Sequence, residues 1–203
     1  MTVQELSREA REALTDLVLR GVVRGEVSSA LAEVIDAGLA LAKGPIVMSA
    51  SAAAPIVGGW LLIVGEDEQA ALTTAFHRFL PLNRQLRELC TAWQCLPGGG
   101  VNDHSDAAYD AGIRDRFDDV HDAVRPLLRR ASGTSADFEP YADRLQVALD
   151  TFDAGEPQWL ASPVCDSYHT VWMHIHQLFL LRLGVTRAED EALEEQLVLG
   201  GAA

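Results

Sequence analysis

The sequence predicts a mainly α-helical chain in two parts, and three observations carry that prediction. Apolar residues recur at intervals of three and four along most of the 203 residues. The concentrated β-branched runs fall between residues 46 and 64. Beyond residue 66, each periodic segment is bounded by helix start and stop residues, with no alternating strand pattern between them. Taken in order, Leu6, Ala10, Ala13, Leu14, Leu17 and Val18 place an amphipathic helix from Glu5 to Val23, which Gly21 and Gly25 interrupt. Val27, Ala30, Leu31, Val34, Ile35 and Leu39 place a second from about Glu26 to Leu41, stopped at Lys43-Gly44-Pro45. The runs Ile46-Val47-Met48 and Ile56 to Val64, separated by small residues and Pro55, read as a β-hairpin. Two helices and a hairpin give the element order of a degenerate winged helix, one helix short of the DNA-binding form. The expected division is therefore a winged-helix-like domain over residues 1–65 and an all-α bundle over 66–203.

In the second part, Glu66-Asp67-Glu68 places acids where the helix dipole favours them, opening a long helix to about Leu96 that Pro81 kinks or divides. Pro97-Gly98-Gly99-Gly100 is a loop, and Ser105 can cap a helix from Asp106 to about Arg130. Another helix runs from Asp137 to Ala154 and closes at Gly155. Ser162 with Pro163 at the first position opens a helix to Leu183, before Gly184. Thr186-Arg187-Ala188-Glu189 is a capping box for a terminal helix.

Sixteen basic against thirty acidic residues give a formal net charge of -14, a field that repels phosphate backbones, so nucleic acid is not an expected partner. The second helix agrees, since it offers Ser28, Ser29, Ala32, Glu33 and Asp36 and no cation for a DNA groove. Three cysteines, Cys90, Cys95 and Cys165, show no disulfide or zinc spacing and fit a reducing cytoplasm. The apolar stretch from Pro45 to Val64 is broken by serines, Pro55 and glycines, so neither a leader nor a membrane span is expected.

The helix ending at Leu183 is apolar nearly all round, as buried helices are. At about 100° per residue, Asp166, His169, Met173 and His176 share a sector of roughly 80°. Such a stripe is either a core hydrogen-bond network or the wall of a polar cavity. His169 and His176 lie about 10 Å apart along the axis and His174 points about 160° from His176, so no shared metal ion is expected. A second cluster, Asn102, Asp103, His104, Ser105, Asp106, Tyr109 and Asp110, enters a helix, where capping explains one or two residues and not all. A third lies on the long helix, where Arg78, Asn83, Arg84, Arg87, Trp93 and Gln94 include the turn-by-turn series Asn83, Arg87, Cys90, Gln94.

The strings Arg78-Phe79-Leu80-Pro81-Leu82-Asn83-Arg84, Cys90-Thr91-Ala92-Trp93-Gln94, Asn102-Asp103-His104-Ser105-Asp106 with Tyr109-Asp110, and Asp166-Ser167-Tyr168-His169-Thr170-Val171-Trp172 stand in this order. Together they resemble a helical C-terminal domain of an actinobacterial group over roughly residues 70–190. Members of that group often carry an N-terminal winged helix, and are described as transcriptional regulators or through association with phosphoenolpyruvate-utilising enzymes such as pyruvate phosphate dikinase. The chain departs from similar sequences at His174 and Gln177, where they tend to have acids.

No Rossmann fingerprint, P-loop, serine elbow or pyridoxal pattern is present, which leaves cofactor-independent proton transfer of lyase, isomerase, dehydratase or cyclase type. The catalytic candidates are His169, oriented by Asp166 or Asp103, with His176 and His104. Asn83, Arg84, Trp93, Gln94, Asn102, Asp106, Tyr109, Tyr168 and Trp172 are the ligand-binding candidates, with no metal and no cofactor. The alternative is a regulator whose helical part senses a metabolite; a pure interaction module is the third class. The expected partners are a small molecule of biosynthetic metabolism and a second copy of the chain, with residues 1–65 serving dimerisation.

Overall fold

A computed structural model describes residues 6–63 and 65–200. The chain is mainly helical, as its periodicity predicts, with nine α-helices and one three-stranded sheet among the described residues. The ends of the expected first helix and of the expected second strand, Glu5 and Val64, lie outside them. The described residues form two compact units. One comprises those up to Ile63 together with Gln177–Val185; the other comprises the rest, to His176 and from Thr186 onward.

In the first unit, α1 (Arg8–Arg20) is capped by Ser7, whose hydroxyl accepts from the Ala10 N–H at 3.1 Å and donates to Glu33 at 2.7 Å. Gly21, at φ 73, ends it. After β1 (Val22–Arg24) comes α2 (Ser29–Asp36), shorter than expected because Gly38 closes it in a Schellman motif. The Gly38 N–H donates to Ile35 O and the Leu39 N–H to Val34 O. Leu39 to Ala42, which look helical in spacing, thereby pass into β2 (Ala40–Lys43), which turns through Gly44-Pro45 into β3 (Ile46–Ser49). Lys43-Gly44-Pro45 is therefore a hairpin turn rather than a helix stop, with Gly44 at φ 60 in the first turn position, as a two-residue hairpin loop requires.

The run from Ile56 is not a strand. Ala53–Leu61 forms α3, where Pro55 sits in the first turn and needs no N–H. Val57 is fully buried, and the bare Cα of Gly58 faces Leu181, 3.5 Å from where a Cβ would stand. The sheet order is β1-β3-β2, both pairs antiparallel. Leu14, Leu17, Val34, Val47, Val57 and Leu181 make the core of this unit, each buried leucine or valine contributing about 1.5–3 kcal/mol.

In the second unit, α4 (Glu66–Gln94) runs unbroken through Pro81, and α5 (Ala107–Thr134) packs along it. Asp106, not Ser105, caps α5, its carboxylate accepting from the Ala108 and Tyr109 N–H groups at 3.0 Å. Ser105 instead gives its N–H to Asp103 at 3.1 Å. A single 3-10 turn (Ala136–Phe138) leads into α6 (Glu139–Asp153), which stops at Gly155, φ 101, followed by the one-turn α7 (Gln158–Ala161). Helix α8 (Tyr168–Leu183) starts five residues later than the Pro163 start expected. Ser167 is its cap: its hydroxyl accepts from the Thr170 N–H at 3.2 Å and donates to Ser162 O at 2.7 Å, closing residues 163–166 into a turn. The capping box before α9 (Arg187–Gly200) forms as expected, Thr186 Oγ1 accepting from the Glu189 N–H at 3.3 Å and Glu189 Oε2 from the Thr186 N–H at 2.8 Å. The core gathers Phe76, Phe79, Phe117, Val124, Leu145, Tyr168 and Trp172, all nearly water-free.

Candidate functional site

The late start of α8 removes Asp166 from the stripe it was expected to share with two histidines. Asp166 lies in the preceding turn and accepts from Arg144 Nη2 at 3.1 Å. The same nitrogen stands 3.2 Å from His174 Nδ1, so Asp166 is joined to His174, across α6, and not to His169. Because an arginine has only donors, His174 Nδ1 accepts and its proton sits on Nε2. His169 is half-buried and its ring makes no hydrogen bond to a described residue; burial holds its pKa below the ordinary value, because nothing there compensates the charged form. His176 is buried, its Nε2 3.0 Å from the equally buried Asp190 in the first turn of α9, and its ring lies against Phe76 and Phe79. Neither Asp166 nor Asp103 orients His169.

Three further candidates, Asn83, Tyr168 and Trp172, are structural ties. Asn83 is buried, accepts from Trp172 Nε1 at 2.9 Å and donates to Glu194 Oε1 at 2.8 Å; Arg87 holds the other Glu194 oxygen at 2.6 Å. The expected row Asn83, Arg87, Cys90, Gln94 thus starts as a clamp on α9, while Cys90 is buried and Gln94 exposed. Tyr168 is fully buried and its hydroxyl meets His121 Nδ1 at 3.2 Å, with His121 Nε2 3.1 Å from Gln146 Oε1. Trp172 stacks on Phe79, ring centres 4.9 Å apart. Arg84 pairs with Glu88 on the surface.

The loop into α5 differs from these. Asn102 is buried, and its Nδ2 bonds Trp93 O at 3.0 Å and Asp110 Oδ1 at 2.8 Å. Those two acceptors use both amide protons. His104 Nδ1, 3.0 Å from Asp110 Oδ2 and 3.2 Å from the same amide nitrogen, must therefore carry its own proton and donate it to Asp110. Its Nε2 makes no hydrogen bond to a described residue, on a side chain 41% exposed, and is the lone-pair nitrogen of the neutral ring. Trp93 packs against the ring at 4.4 Å, backed by Phe152 edge-on at 5.2 Å.

His104 is the one non-glycine with positive φ among the described residues, at 60°. A left-handed histidine costs about 1–2 kcal/mol, and the surrounding bonds hold it there. Its N–H donates to Asn102 Oδ1 at 3.1 Å, and the Asn102 N–H to Gln94 O at 2.9 Å. Hydrogen bonds from Ser105 lower the Asp103 pKa, so this exposed carboxylate stays ionised as a turn former, while the ring nitrogen Nδ1 pairs with Asp110. Asp110 is the partner that sequence reasoning passed over. Its signal is an acid one turn after the capping Asp106, on the helix face that turns back to the loop.

Tyr109 donates to Ala92 O at 3.0 Å and lines an open groove of about 870 Å³ with Arg84, Arg87, Thr91, Leu96, Pro97 and the α9 glutamates. Among the described residues, no three His, Cys, Asp or Glu side chains converge to hold a metal ion, and no helix is long and apolar enough to cross a membrane. Comparison with known protein families, curated proteins and solved structures yields no match to this chain.

Proposed function

We propose that the protein binds a small molecule in its helical part and carries out proton-transfer chemistry with His104 as the general acid–base. One observation carries this reading: the His104–Asp110 pair, with the proton on Nδ1 and the basic Nε2 outward, on the left-handed residue of the loop. Capping alone calls for no histidine, no left-handed backbone and no tryptophan against the ring. In the reaction, Nε2 takes a proton from a substrate C–H or O–H group, Asp110 stabilises the imidazolium, and Asn102 keeps Asp110 in place. Returning the proton to another atom completes an isomerisation, elimination or cyclisation without a cofactor. The reading keeps the site class expected from the sequence and the resemblance to the actinobacterial group, with Asp110 in the orienting role.

The test needs no known substrate. A metabolite extract incubated in D₂O with the full chain is followed by mass spectrometry for metabolites that gain deuterium. The expected result is labelling that falls by about 10²–10⁴-fold with His104→Ala. Equal labelling by both proteins, or none by either, overturns the proposal.

A second reading, a metabolite-responsive regulator, draws support from the β1-β3-β2 order behind α1 and α2, the strand order of a winged helix. On that reading the first unit has given up DNA for dimerisation in the cytoplasm, since α2 lacks cations and its Glu33 is engaged by Ser7. A gel shift with DNA upstream of its own gene at physiological salt would restore DNA binding.

A further inference from the structure

We propose that a second site, a cleft between α4 and α5, binds a small organic dianion with an apolar body. The cleft measures about 290 Å³, at the lower end of the ~300–1,000 Å³ usual for ligand sites. Arg78 of α4 and Arg130 of α5 both line it, and between them lie Ala75, Leu82, Pro126 and Leu127. No acidic residue lines it.

That composition runs against the rest of the chain. Arg8, Arg20, Arg84, Arg87, Arg114 and Arg144 each pair with an acid, whereas Arg24, Arg116, Arg125 and Arg129, like Arg78 and Arg130, form no ion pair with a described residue; what sets this cleft apart is its lining. The guanidinium groups of Arg78 and Arg130 make no hydrogen bond or ion pair to a described residue. The other three clefts described all set glutamate or aspartate beside their arginines, as with Arg84 and Arg87 among Glu88, Glu191 and Glu194. Among the clefts described, this one alone sets two guanidinium groups from facing helices into one space with no acid lining it.

The chemistry of the occupant follows. A guanidinium fork matches carboxylate or phosphate oxygens two at a time, and two forks match a charge of about −2. A phosphomonoester carries about −1.5 to −2 at neutral pH, and a short dicarboxylate −2. The leucines, alanines and proline between the arginines leave a floor for a few apolar atoms, and Thr74, which gives its proton to Ala70 O at 2.9 Å, adds one acceptor hydroxyl. The site is independent of the His104 pair, since Arg78 lies fifteen residues before Trp93, about 22 Å along α4.

Calorimetric titration of the full chain with phenyl phosphate and with glutarate tests the proposal, and the tighter of the two tells a phosphate from a dicarboxylate source. The expected result is saturable binding of at least one at a Kd of about 1 mM or tighter, weakened about tenfold or more by Arg78→Gln and by Arg130→Gln. Both arginines are exposed, so either variant should fold, which circular dichroism checks, and one folded variant suffices. Arg125→Gln, one turn away and outside this cleft, should leave the Kd unchanged. Absence of saturable binding up to about 10 mM, equal affinity for inorganic phosphate, or binding that survives the folded variants overturns the site.

Discussion

Replacing Asn83 by leucine tests whether the α4–α8–α9 tie is an energetic element or an incidental contact. The substitution keeps the number and branching of the heavy atoms in a side chain that is only 1% exposed and removes both of its hydrogen-bonding ends. Trp172 Nε1, inside a fully buried ring, loses its acceptor, which costs about 1–3 kcal/mol. Glu194 keeps Arg87 and loses one donor, for a further ~0.5–1.5 kcal/mol. Leucine returns about 0.5 kcal/mol through its better helix propensity. The net expectation is about 1–4 kcal/mol, centred at about 2.5 kcal/mol, which at its centre is a fall in Tm of roughly 5–10 °C for a chain of this length. Urea unfolding followed by tryptophan fluorescence reads it, with Trp172→Phe and the double variant completing a cycle. Because phenylalanine has no N–H to orphan, Asn83→Leu should cost at least ~1 kcal/mol less in the Trp172→Phe background. Additive costs, or a single-variant loss below ~0.5 kcal/mol, would refute the reasoning.

Other measurements follow from the same geometry. Gly38→Ala should destabilise by about 1–2 kcal/mol, because φ is 73° there and no atom lies within 4 Å of the added Cβ, so the cost is backbone strain alone; urea midpoints of Gly38→Ala and the more tolerant Gly38→Asn should rank in that order. His169 has a folded-state pKa below 6.5, so the unfolded chain binds more protons and stability, fully present above pH 6.5, is lost as pH falls from there through the folded value. His169→Gln should flatten that part of the stability–pH curve, and an unchanged slope would contradict it. Among the thiols, Cys95 is exposed while burial pushes Cys90 up to about 12, so a thiol-reactive disulfide should label Cys95 quickly and Cys90 only on unfolding.

Much of the helical part could be read from the sequence because its signals are local. The Thr186–Glu189 box, the stops at Gly155 and Gly184 and the long period through Pro81 act within one or two turns. The strands could not be read this way, since three or four residues are too few to show an alternation, and Leu39 to Ala42 keep a helical spacing until Gly38 is known to be left-handed. Ile56 and Val57 favour a strand in isolation, yet burial against the core of the first unit makes them a helix. At the candidate site, the segment 102–110 stands out by composition, whereas its pairing is tertiary. Which acid reaches His104 depends on how α5 enters, and which tryptophan covers it depends on α4. Asp166 misled because the cap could be Ser162 or Ser167, and only the second frees the turn that carries Asp166 to Arg144.

The inclusion of Gln177–Val185 in the first unit has a consequence for synthesis on the ribosome. Leu181 fills the core beside Gly58, Arg182 O accepts the Ile63 N–H at 3.0 Å, and Arg182 Nη1 donates to Leu61 O at 2.9 Å. The residues up to Ile63 are made before these partners and lack them until the intervening residues of the second unit have also been made, the reverse of the usual order in which an earlier segment folds alone. A fragment stopped at residue 65 should therefore be sticky and poorly folded, and adding residues 177–185 in trans should rescue it where a scrambled peptide does not.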